Sequence, residues 1–196
     1  MSIDDQIENI IKKQKAGKIL FSKDFQNLDN SGAVRVALHR IVKRGSLKRI
    51  ARGIFVKPKF NELVGEILPT TEEIAIAIAK RDKARILPTG IYAMHMLGLS
   101  TQIPLKLVYL TDGSPRTIKL GKRTIKFKKS TPKNLSLKGQ ISRLVVQALK
   151  EIGKDKATAR EVTKIISLLK KEDHKILKHD IELAPHWVAE IMAKAL

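Results

Sequence analysis

From Ser31 to Pro58 the chain reads SGAVRVALHRIVKRGSLKRIARGIFVKP. This is a basic amphipathic helix followed at once by a short two-stranded ribbon, and few folds accommodate that order. At 100° steps over about 32–44, Val34, Ala37, Leu38, Ile41 and Val42 gather on one side of the helix. Val36, His39 and Lys43 lie opposite, flanked by Arg35 and Arg40. Gly45 stops the helix. Leu47–Ala51 and Ile54–Lys57 can pair as strands about Arg52-Gly53, because glycine accepts the positive φ of a tight hairpin. Pro58 closes the unit. The pattern predicts the recognition helix and wing of a winged helix-turn-helix.

The residues before this run supply what the apolar stripe packs on. Ile3, Ile7, Ile10 and Ile11 share a face of a first helix over 3–15, ended by Gly17. KILF is extended. Ser22 is a candidate N-cap for a short helix over 23–28, with Phe25 and Leu28 inward. The turn Asp29-Asn30-Ser31-Gly32 offers caps for the third helix. This predicts a domain over 1–60 with 14 Lys/Arg against five Asp/Glu, a net +9.

The whole chain carries 39 Lys and Arg against 19 Asp and Glu, a formal +20. Displacing counterions from a phosphate backbone rewards such a surplus, as do anionic membranes and acidic proteins. Hydrophobic residues at 43% allow a real core, which aromatics at 4% require to be aliphatic. So few aromatics argue against stacking platforms for single strands and favour a duplex. With no cysteine, disulfides, thiolate chemistry and Cys-type zinc sites are excluded. No apolar run approaches the roughly 20 residues of a membrane span, and the start lacks a signal core. The expected location is the cytoplasm.

Residues 61–69 read as a connector and 70–196 as a second domain. Thr71, Glu72 and Glu73 open a helix with Ile74, Ala75, Ile78 and Ala79 inside. A strand-rich patch over about 105–128 follows. KLVYLTD is one strand, and Thr117–Leu120 pairs with Arg123–Lys128 about Gly121-Lys122. Helices fill 136–196, with Ser136 capping the first and Thr158-x-x-Glu161 forming a capping box before the second. The expected class is α+β, mostly α. It combines an N-terminal winged helix-turn-helix with a C-terminal α/β domain that has a small antiparallel sheet and a helical tail.

In helix-turn-helix proteins the second helix enters the major groove. Candidate DNA contacts are therefore Ser31, Arg35, Val36, His39, Arg40, Lys43 and Arg44 on the helix, and Lys48, Arg49 and Arg52 on the wing. Arg35 can fork onto a guanine and Val36 can meet a thymine methyl. The competing expectation is a solvated face of a protein-interaction module. A second basic patch comprises Arg116, Lys119, Lys122, Arg123, Lys126, Lys128 and Lys129. It can extend the DNA footprint, dock an acidic protein, or simply be the wet face of a sheet. His174 and His179 are five apart and share no helix face. His95 reads as a satisfied core or edge residue, and His186 as a helix-start residue. No metal, cofactor or catalytic constellation is expected: phosphate loop, HExxH, GxSxG and carboxylate cluster are all missing.

The run S…AVRVALHRIVKRGSLKRIARGIFVKP resembles the winged-helix signature of the AbiEi-type antitoxins. LPTGIYAMHMLGLSTQIP followed by VYLTDGSPRTIKLGKRTIKFKK resembles the start of that family's C-terminal domain. The two blocks cover about residues 20–130. The resemblance implies a type IV toxin–antitoxin system linked to abortive phage infection. In such a system the winged helix represses its own operon, and the C-terminal domain counters a nucleotidyltransferase-like toxin. By resemblance the DNA contacts fall on Arg35, His39, Arg40 and Lys43, and on Arg49 and Arg52. The implied partners are operator duplex DNA and the toxin.

Overall fold

The computed structural model describes residues 2–28 and 30–196. Asp29, part of the predicted capping turn, lies outside them. The protein is mixed α+β, and its chain divides into two compact units, Met1–Ala77 and Ile78–Leu196.

The first unit opens with α1 (Ile3–Lys12). Ser2 and Asp5 form a reciprocal cap, in which the Asp5 amide donates to Ser2 Oγ and the Ser2 amide to Asp5 Oδ2. The helix stops three residues before the predicted end. Its last carbonyls turn instead to Lys57, whose Nζ donates to the oxygens of Ile11, Lys12 and Gln14 at 3.0, 3.2 and 2.8 Å. A cation at this end also meets the negative pole of the helix dipole. Lys57→Met is expected to cost about 1–2 kcal/mol of stability in urea denaturation.

Strand β1 (Ile19–Phe21) leads into a 3₁₀ turn, Ser22–Phe25. The turn replaces the helix predicted over 23–28, and Ser22 is not its cap: the Phe21 amide donates to Asp24 Oδ2 at 2.8 Å. Helix α2 (Ser31–Lys43) is capped by Asn30, whose Oδ1 accepts the Ala33 amide at 2.9 Å. Strands β2 (Lys48–Ala51) and β3 (Ile54–Val56) follow, and the sheet order is β1-β3-β2, antiparallel throughout. Val34, Ala37, Leu38 and Ile41 of α2 are buried with Ile7, Ile11, Leu20, Phe25, Leu47 and Phe55. The predicted stripe is thus the core face, with Val42 half-buried at its edge.

The segment read as a connector contains a hairpin, β4 (Phe60–Asn61) and β5 (Gly65–Glu66). Asn61 Oδ1 organises its turn by accepting the amides of Leu63 and Val64. Helix α3 (Thr71–Arg81) begins at a cap made by Thr70 and Glu73 and contains the division between the units.

In the second unit β6 (Ile86–Pro88) and α4 (Ile91–Met96) precede β7 (Lys106–Thr111), β8 (Arg116–Leu120) and β9 (Arg123–Lys129). The β8–β9 hairpin turns at Gly121-Lys122 as its sequence predicts. The sheet, however, is mixed rather than antiparallel. Its order is β6-β7-β9-β8, and β7 runs parallel to β9. A hairpin signal fixes only the contact between neighbours in sequence, and the chain here passes beyond β9's position before turning back.

A 3₁₀ turn (Pro132–Leu135) leads to α5 (Gln140–Ile152), followed by α6 (Ala159–Leu169), α7 (His174–Leu183) and α8 (His186–Ala193). Ser136 does not cap α5, because its hydroxyl turns back to the Pro132 carbonyl at 2.7 Å. The amides at this helix start are taken by acids from far along the chain. Asp180, with 0% of its side chain exposed, accepts from the amides of Lys138 and Gly139 and from Ser142 Oγ. Glu172 accepts from the amides of Ile141 and Ser142. Gly139 leaves room for this close approach, since a Cβ there would crowd Ser142 Oγ and sit 2.6 Å from Glu172 Oε2. The Thr158–Glu161 capping box of α6 forms as predicted. Val145, Leu149, Ile165, Leu169, Leu177, Val188 and Met192 build the aliphatic core of the bundle.

Candidate nucleic-acid interface

Burying the stripe of α2 turns its other face outward, and Ser31, Arg35, Val36, His39, Arg40, Lys43 and Arg44 are all exposed. The β2–β3 hairpin rises beside it. Gly53 at the tip has φ +70°, and its carbonyl accepts the Ser22 amide at 3.1 Å. A left-handed residue is needed there, and the bond ties the tip to the 3₁₀ turn, fixing where Arg52 stands.

Helix and hairpin enclose a concavity of about 860 Å³. Its polar wall is Ser31, Arg35 and His39 on one side and Arg49 and Arg52 on the other, with Val36 among them. Val34, Leu38, Val42 and Phe55 form its apolar floor. Ser22 and Gln26 also line it. Sequence reasoning missed these two, because only the Ser22–Gly53 bond brings the 3₁₀ turn to this surface.

Six of the ten predicted contact residues therefore come together, and four do not line the concavity. Arg40 donates to Asp4 through Nε and Nη2 at 3.2 and 2.7 Å, and Arg44 Nη2 reaches the same carboxylate at 2.7 Å. The hydrogen bond from Arg40 is the main reason the Asp4 carboxyl lies below its ordinary pKa. Lys48 pairs with Glu66 of β5. Lys43 is exposed at the end of α2. Both acidic partners come from outside the 31–58 run, where no local pattern announces them.

The second basic patch is divided by the sheet's own pleat. Directly paired residues share a face, so Lys119, Lys126 and Lys128 fall on one side together with Lys106, which the sequence reading omitted. Arg116 and Arg123 fall on the other. Arg116 is half-buried, pairs with Asp82 and stacks 5.5 Å above the Phe127 ring. Burial works against the Asp82 carboxylate, but hydrogen bonds from Arg81 and Arg116 outweigh it and hold its pKa below the ordinary value. Lys129 Nζ donates to the Asp112 carbonyl at 2.6 Å, and Lys122 occupies the β8–β9 turn.

Residues 6–177 match DUF6088, a family of unknown function. The chain belongs to this family. No curated protein matches it. Among solved structures, this DUF6088 member is similar to the RV2827C protein of Mycobacterium tuberculosis, with 12% identity and a TM-score of 0.45. That likeness spans 99% of this chain and 82% of that one.

Three of the five histidines of this family member take local roles. His95 Nδ1 lies 3.3 Å from the Ser100 carbonyl, and His186 Nε2 lies 3.4 Å from Glu190. His179 Nδ1 is 2.8 Å from Asp180, whose other oxygen holds Ser142. The carboxylate rather than the imidazole faces the hydroxyl, and it caps the start of α5. Among the described residues no three His, Cys, Asp or Glu side chains are placed to hold a metal ion. Nor is any described helix long and apolar enough to cross a membrane.

Proposed function

We propose that this chain is a DNA-binding repressor of its own operon and the antitoxin of a type IV toxin–antitoxin system, acting in the cytoplasm without an enzymatic step. In this reading the first unit is a winged helix-turn-helix, with α2 as recognition helix and β2–β3 as wing. One observation carries the DNA-binding half: Arg35, Val36 and His39 of α2 share a single concavity with Arg49 and Arg52 of the hairpin. A groove edge and its flanking phosphates meet such a surface together. The antitoxin half rests on the resemblance of residues 20–130 to the AbiEi-type family.

The test is fluorescence anisotropy with duplex DNA from upstream of the gene. Arg35→Ala and Arg52→Ala are each expected to cost about 1–3 kcal/mol of binding, and Lys43→Ala to weaken all sequences alike and flatten the salt slope by about one. Arg44→Ala is expected to do less, because that guanidinium is already tied to Asp4. Binding indifferent to both Arg35 and Arg52 would remove the interface from consideration. For the second half, the Arg35→Ala, Arg52→Ala double variant should still rescue cells expressing a neighbouring nucleotidyltransferase-like toxin. Repression and rescue lost together, in a folded protein, contradict a division of labour between the units.

A second reading, a protein-interaction module that neutralises a toxin without touching DNA, draws on the β4–β5 hairpin. There Phe60, Leu63 and Val64 are all exposed, Leu63 at 94%. A chain that binds no duplex, together with rescue lost in a folded Leu63→Ser variant, would favour it.

A further inference from the structure

Away from the candidate interface, the second unit encloses a cavity of about 280 Å³ between β6, the 132–137 segment and the start of α5. Its lining is unusual in charge. Arg85, Arg143 and Asn134 supply the polar groups, Ile86, Leu87, Leu135 and Leu137 supply the rest, and no acidic side chain is among them.

The two arginines differ in a way that matters. Arg85 is fixed: its Nε donates to Asp112 Oδ2 at 2.8 Å and its Nη1 to the Leu135 carbonyl at 3.2 Å. Arg143 is half-buried, its Nε is fully buried without a partner, and no acid among the described residues pairs with it. A guanidinium nitrogen removed from water with nothing to receive its hydrogen is costly. At the rim, Lys150 Nζ donates to Asn134 Oδ1 at 3.1 Å. Burial, and then the neighbouring charge of Lys133, push the Lys150 pKa down. Cations thus outnumber anions around a preformed hollow.

We propose that this cavity is a phosphate-binding site, in which Arg143 and Arg85 grip the phosphoryl oxygens and Lys150 closes the rim. Planar guanidinium forks suit tetrahedral oxyanions. The apolar wall leaves room for the organic part of a small phosphate ester. The site lies wholly within the second unit and does not depend on the DNA-binding reading.

Thermal unfolding of the full chain tests it, followed by Trp187 fluorescence, since Trp187 packs on the core of this unit. About 10 mM inorganic phosphate, at ionic strength held constant with chloride, is expected to raise the melting temperature by about 5 °C. Arg143→Met should abolish most of that rise and, in chloride alone, melt at or above the wild type, because it removes an unpartnered buried N–H at similar volume. Arg143→Lys should recover part of the rise, and Lys128→Met, on the exposed sheet face, should leave it unchanged. A nucleoside monophosphate exceeding inorganic phosphate assigns the site to esters, and equal shifts assign it to the free ion. An undiminished rise in Arg143→Met, or an equal loss in Lys128→Met, would show only screening of net charge and overturn the proposal. So would an Arg143→Met protein that melts well below the wild type in chloride, since the guanidinium would then be structural.

Discussion

Asp180→Ala is expected to destabilise the second unit by about 3–5 kcal/mol. The carboxylate is wholly buried and accepts from two backbone amides and the Ser142 hydroxyl. Removing it strands those donors at the start of α5 and deletes the negative charge that faces the helix dipole. Trp187 fluorescence in urea reads the loss directly. Asp180→Asn keeps one accepting oxygen and should lose less. The pH dependence has a definite sign. Burial raises the carboxyl pKa, yet the hydrogen bonds from Ser142, Lys138, Gly139 and His179 outweigh it, so the folded value lies below 3.8. A depressed carboxyl contributes stability that is complete above its unfolded pKa and is lost as pH falls through the folded one. The gap between wild type and Asp180→Ala should therefore be constant near neutrality and shrink below about pH 4. A gap that stayed flat into strong acid would mean that folding leaves the carboxyl pKa unchanged, and a gap that widened would mean that folding raises it.

Ile41→Ala is expected to cost about 2–5 kcal/mol and Val36→Ala less than about 0.5 kcal/mol, although both sit on α2. Ile41 is 0% exposed and packed within the first unit's core, whereas Val36 is 50% exposed. Truncating Ile41 leaves a cavity as well as forfeiting apolar burial. Truncating Val36 removes little contact and improves helix propensity. Far-UV circular dichroism in urea distinguishes them. Comparable losses at the two positions would mean that the helix is rotated from the orientation described here, and the concavity with it.

Those two side chains also show what the sequence makes legible. An apolar residue recurring every three or four positions can satisfy only one helix face, so the inward and outward sides of α2 follow from spacing alone. The Arg52-Gly53 and Gly121-Lys122 turns are equally local. What was hidden depends on contacts between distant residues. Asp4 pairs with Arg40 across 36 positions, and Asp180 caps α5 across 41. Ser136 looked like the cap because it has the right side chain at the right offset, but the 3₁₀ turn before it claims its hydroxyl. The parallel register of β7 with β9 is silent for the same reason: periodicity says which face of a strand is wet, never which strand lies beside it. Lys106 is what that silence hides, since it joins Lys119, Lys126 and Lys128 only once β7 is placed next to β9.

The ammonium of Lys57 has a mechanical corollary. It is rooted at the end of β3, while the three carbonyls it holds belong to the close of α1 and the residues just after it. A short helix would ordinarily fray on its own, but here the last turn must also surrender a grip on the residue that follows the central strand. Opening of the leading helix and separation of the hairpin behind it are thereby made one event, so slow amide exchange in the two should rise and fall together.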